Sequence, residues 1–161
     1  MARSWIDEGV QHARERAEGQ RAAVEQRHHR TTVIREKGPE LMRGIFAEVQ
    51  GVIDEYQRKA GAGRVEFQLL PREGFSVTRI TPPRVGLECR PDYEMHALYC
   101  NMTRTAVLES EIVEWPFSLE FIASESDRVE LRSGSRAFHE VDEVVEFLLK
   151  PVLFPSVDAH H

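Results

Sequence analysis

Residues 53–69, Ile53-Asp54-Glu55-Tyr56-Gln57-Arg58-Lys59-Ala60-Gly61-Ala62-Gly63-Arg64-Val65-Glu66-Phe67-Gln68-Leu69, contain the point at which the chain changes period. Upstream, Met42, Ile45, Phe46, Val49, Ile53 and Tyr56 recur at intervals of three and four, with Leu41 and Val52 beside them. That spacing predicts an amphipathic helix from Pro39 onward, with Arg43, Glu48, Asp54 and Arg58 on its outer face. Gly61-Ala62-Gly63 ends it, because glycine readily adopts the backbone conformation that closes a helix C-terminus. From Arg64 the period is two. Alternation of Val65, Phe67 and Leu69 with Glu66 and Gln68 predicts a half-buried strand.

Further strands follow at short intervals: Phe75–Ile80, Val85–Arg90, Met95–Thr103, Phe117–Ala123 and Val129–Arg132. Pro71-Arg72-Glu73-Gly74, Pro82-Pro83, Pro91-Asp92-Tyr93-Glu94 and Ser124-Glu125-Ser126-Asp127 supply turns between them. Arg104–Ser110 and Glu111–Trp115 have no decided pattern. Connections this short predict an antiparallel meander, since parallel neighbours need long crossovers. Glu140–Leu149 predicts a closing helix, with Val141, Val144, Val145 and Leu148 on one face and Pro151 as its stop. Val152-Leu153-Phe154 then forms an apolar plug.

Working back from the amphipathic helix, Gly38-Pro39 predicts a break, because proline disfavours helix just before it and removes a donor within it. Ser4–Lys37 then stands as a separate, polar helix. Its apolar seam is thin: Ile6, Val10, Ala13, Ala17, Gln20, Val24, Arg27, Thr31 and Ile34 at alternating spacings of four and three. Gly9 and Gly19 each cost about 1 kcal/mol relative to alanine. Pairs such as Glu18 with Arg14 and Arg21, or Glu25 with Arg21, offset this. The predicted fold class is α+β. It comprises two N-terminal helices (one long and polar, one amphipathic), an antiparallel meander of about five to seven strands, and a short C-terminal helix packed on one face. Residues 1–37 form the arm and 38–161 a single α+β domain.

Charge divides in the same way. The 161-residue chain has a net charge of −6. Its first 63 residues have 11 basic and 10 acidic side chains, the remainder 10 and 17. An acidic body disfavours nucleic acid and anionic membranes as partners. No apolar run reaches the roughly 18 residues of a membrane span, and acids at the start speak against a signal peptide. With two cysteines and no disulfide framework, the expected location is cytoplasmic.

Catalytic and metal-binding patterns are sparse. His96 and Cys100 lie four apart, and a hairpin loop at Pro91–Glu94 brings Cys89 opposite His96. Zinc would accept such ligands, but four are needed for a closed site, so no metal site is expected. The same register separates Cys89 from Cys100 by about 13 Å, too far for a disulfide, and predicts two free thiols. His28-His29 forms a solvated pair, and Ser133-Gly134-Ser135 before His139 is turn chemistry between a strand and a helix. No nucleophile elbow, phosphate loop or dinucleotide fingerprint occurs. The expectation is therefore no catalytic residues and no cofactor. Of the two tryptophans, Trp115 precedes Pro116 beside a strand, and Trp5 sits at an exposed end.

Function is expected from association. The seam of the polar helix needs a cover, and a second copy of the chain or another protein can provide it. Trp5, Val10, Ala17 and Val24 are the partner-binding candidates. The alternative is a small-molecule binder using the cleft between the sheet and the helix at 39–60. His160-His161 has no assigned role.

Overall fold

In the computed structural model, residues 3–61, 64–105 and 111–155 are described. Residues 106–110 of the undecided stretch, Ala62-Gly63 of the glycine stop and His160-His161 lie outside them. Helix α1 (Ser4–Ala60) leads into strands β1 (Val65–Leu70), β2 (Gly74–Arg79), β3 (Arg84–Asp92), β4 (Ala97–Thr105), β5 (Ile112–Ala123), β6 (Val129–Ser133) and β7 (Arg136–Phe138). Helix α2 (Val141–Leu153) closes the chain. The seven strands form one antiparallel sheet in sequence order. The α+β class, the meander and the C-terminal helix are as expected. The two N-terminal helices are one.

Gly38-Pro39 breaks nothing, because both sides of it are anchored. Val33 and Ile34 are buried before it, and Met42, Ile45, Val49 and Ile53 after it. Side chains of the preceding turns also grip the body. His29 Nε2 meets Asp127 Oδ1 at 3.0 Å, Arg35 Nη2 meets Glu94 at 2.6 Å, and Lys37 Nζ donates to the Asp127 carbonyl at 2.7 Å. Gly38 has a packing reason of its own. A Cβ there would lie 2.6 Å from the Tyr93 ring, so only glycine lets α1 pass so close.

One face of the sheet is apolar and carries both helices. Val65, Phe75, Val77, Val85, Leu87, Cys89, Leu98, Leu119, Phe121, Leu131 and Phe138 are buried there. Phe46 and Tyr56 are half-buried at its margin, with Phe46 edge-on to Phe75 at 5.8 Å. Leu69, expected in the core, is exposed near the end of the edge strand β1. The opposite face is polar: Ser76, Thr78, Glu88, Asn101, Thr103 and Glu120.

Prolines fall where the sheet is one neighbour short. Pro91 lies in β3 past the end of the β2 ladder, and Pro116 in β5 ahead of the β6 ladder. Strand β3 therefore runs on to Asp92, and the turn moves to residues 93–96, where Asp92 Oδ1 accepts from the Glu94 and Met95 amides at 3.1 Å each. This overturns the expected register. Cys89 pairs directly with Cys100, not with His96, and their sulfurs are 3.3 Å apart as free, buried thiols.

Pro151 likewise fails to stop α2. Val152 and Leu153 are buried beyond it, and Arg79 Nη1 donates to the Leu153 carbonyl at 2.9 Å and to the Tyr56 hydroxyl at 2.6 Å. One guanidinium thus ties both helices to β2. Ser133-Gly134-Ser135 turns β6 into the short β7, with Gly134 at φ 58°, instead of leading into α2.

Candidate functional site

The residues singled out from sequence lie on the first part of α1. Trp5 is 69% exposed, Val10 45% and Val24 68%, while Ala17 is half-buried. Hydrogen bonds and ion pairs from α1 to the body begin at His29. Residues 4–21, roughly 18 residues and about 27 Å of helix, are exposed apart from Ala17 and make no hydrogen bond or ion pair to the body among the described residues. Its own polar contacts are Gln11 to Glu15 and His12 to Glu15; the expected Glu18 and Glu25 pairs with arginine are not made. His28 and His29 are both exposed, as expected, and His29 in addition meets Asp127.

Where α1 reaches the body, Thr31 Oγ1 lies 2.8 Å from His96 Nε2. His96 occupies the turn before β4 with φ 54°, so its imidazole serves this junction and not a strand face shared with Cys100. Tyr93 packs under α1 at Gly38. Its hydroxyl donates to Glu73 and its ring packs on Phe121 at 5.5 Å. Burial, reinforced by the Glu73 carboxylate, holds this phenol well above its ordinary range. Burial likewise raises the Cys89 thiol, and Cys100 beside it adds to the effect. Among the described residues, no three His, Cys, Asp or Glu side chains converge as metal ligands.

The second candidate lies against α2. Space between α1 residues 39–60 and the sheet is filled by Met42, Ile45 and Val49, so the cleft expected there is core. Helix α2 instead crosses the apolar face of the sheet from β7 toward β2, and the ends of β4 and β5 extend past it. The step between helix and strand ends forms a cavity of about 640 Å³ that is open to solvent on one side. Met102, Trp115 and Phe117 form its floor, and Phe147 on α2 forms its wall, packed on Phe117 at 6.4 Å and Phe138 at 5.2 Å. Arg104, Arg136 and Lys150 border it, with Glu143 and Glu146.

Sequence reasoning missed this cavity. The available signal was α2 itself, whose Phe147 and Phe154 fall outside the buried stripe of Val144, Val145, Leu148 and Leu149 and so needed some other cover. No family model matches this sequence, and no curated protein or solved structure matches it.

Proposed function

We propose that the chain is a non-catalytic interaction protein of the cytoplasm that self-associates through the projecting part of α1. The observation that supports this is the seam of Ile6, Val10, Ala13, Ala17 and Val24. It runs along a helix whose residues 4–21 are exposed apart from Ala17 and, among the described residues, make no hydrogen bond or ion pair to another element, and Val24 just beyond them is 68% exposed. Seam residues left in water gain nothing from helix formation, whereas a second helix covers them by knobs-into-holes packing. No helix among the described residues is long and apolar enough to cross a membrane.

Charge favours an antiparallel pair. In a parallel pair Arg16 would face Arg21 of the other copy, twice. An antiparallel pair centred near Glu15 sets Ile6 against Val24, Val10 against Gln20 and Ala13 against Ala17, and it brings Asp7 to Arg21 at both ends. Arg14 and Arg16 meet their own copies across the axis, at a cost of a few tenths of a kcal/mol each in water. This register also keeps the two acidic bodies at opposite ends. Sedimentation of the full chain tests the reading. The wild type should form a dimer at micromolar concentration, and Val10→Asp with Val24→Asp should yield a folded monomer. A wild type that stays monomeric defeats it.

A further inference from the structure

We infer that the cavity between α2 and the ends of β4 and β5 is a binding site for an amphipathic carboxylate, a small molecule with an apolar body and one anionic head. Its size is the first reason. A space of about 640 Å³ falls within the range of small-ligand sites. It is far too small for another helix, so a further layer on the sheet is not what it awaits.

The walls are the second reason. Trp115 and Phe147 are only half-buried and Phe154 is 68% exposed, all bordering the same space. Elsewhere on this face of the sheet, Phe75, Phe121 and Phe138 are buried. An apolar body inserted against Met102, Trp115, Phe117 and Phe147 removes this surface from water, which is the main source of affinity in such sites.

Charge selects the head. Beyond residue 63 the chain has 10 basic and 17 acidic side chains, and among the described residues Arg136 and Lys150 border this cavity together with Arg104, which has an interaction of its own, and Glu143 and Glu146. Arg136 is also placed: its guanidinium lies over the Phe138 ring at 4.9 Å and borders the cavity. Neither Arg136 nor Lys150 has an ion pair among the described residues, so both can meet a carboxylate. Glu143 and Glu146 on the α2 wall repel a second negative charge, which restricts the ligand to one anionic head.

Trp5→Phe makes Trp115 the sole tryptophan and a reporter on the cavity floor. Dodecanoate should change its emission saturably and displace anilinonaphthalenesulfonate. Dodecyltrimethylammonium, with the same tail and the opposite head, should bind at least about tenfold more weakly. Arg136→Glu with Lys150→Glu, checked for an unchanged far-ultraviolet spectrum, should weaken dodecanoate by about tenfold or more. If that pair does not fold, Arg136→Gln with Lys150→Gln is the measured variant. Three results overturn the inference: no saturable response of Trp115, equal affinity for the two heads, or no loss in the charge variants. A dodecanoate-resistant dimer in which Trp115 is shielded before ligand is added also overturns it, since the cavity is then covered by a second copy.

Discussion

Along one uninterrupted helix, residues 4–21 and residues 33–53 have opposite surroundings. The second stretch buries Val33, Ile34, Met42, Ile45, Val49 and Ile53, whereas the first leaves Ile6 and Val10 substantially exposed. Both have apolar residues at helical spacing. What separates them is side-chain size and density, since the first stretch has only Ile6, Val10, Ala13 and Ala17 along its seam and has glycine at 9 and 19. A helix once nucleated propagates at little cost, so its length reports where it was nucleated and not how much of it is buried. The body holds the second stretch, and the first is an extension of it.

Substitution at matched positions gives the largest contrast. Ile45 is fully buried, and Ile45→Ala should cost about 2–5 kcal/mol through lost burial and a residual cavity. Val10→Ala should leave the unfolding midpoint of the monomer within about 0.5 kcal/mol of wild type. Denaturant titration of the two variants checks both. Equal losses would mean that the first stretch is packed after all and that the comparison is wrong.

Next in size is a substitution that improves helix propensity and should still destabilise. Gly38→Ala gains about 1 kcal/mol of intrinsic helicity. Against this, its methyl would sit 2.6 Å from the ring of Tyr93, a residue held by Glu73 and by packing on Phe121. Displacing a packed ring costs about 1–3 kcal/mol, so the net change should be a loss. Gly38→Ala combined with Tyr93→Ala should recover part of it, and a double variant no better than Gly38→Ala alone would show that the ring is not the obstacle.

The same residue explains what the sequence hid. A Gly-Pro pair has a local meaning, a helix boundary, and a tertiary one, a close approach between elements. Only the position of Tyr93, 55 residues away, decides between them. Pro91, Pro116 and Pro151 were misleading for a related reason. A proline is excluded from a paired strand only where a neighbour needs its N–H, and from a helix only where burial and capping do not compensate. Local patterns did identify the meander, the buried stripe of α1 from Met42 to Ile53, and α2. The one-residue-in-two alternation of β3 and β4 was legible, but their pairing depended on where a turn was centred, and a two-residue shift brought Cys89 to Cys100. The exposure of Trp5, Val10 and Val24 was foreseeable from composition, whereas the α2 cavity required knowing that β4 and β5 outrun the helix above them.

The smallest expected effect is also the one that separates the two stretches most cleanly. A Cβ added at Gly19 meets nothing within 4 Å, unlike one at Gly38. Gly19→Ala should therefore contribute up to about 1 kcal/mol of helix propensity with no steric cost. Little of that should reach the global unfolding midpoint, because a projecting helix can fray without the core opening. The gain should appear locally, as slower amide exchange over residues 5–21 by up to about fivefold with unchanged exchange at Ile45 and Val49. A helix that frays less also loses less entropy on pairing, so the dimer should tighten by no more than the same factor. If Gly19→Ala instead raises the midpoint for unfolding of the whole chain as much as it slows local exchange, the two stretches unfold as one unit and the first is not an independent arm.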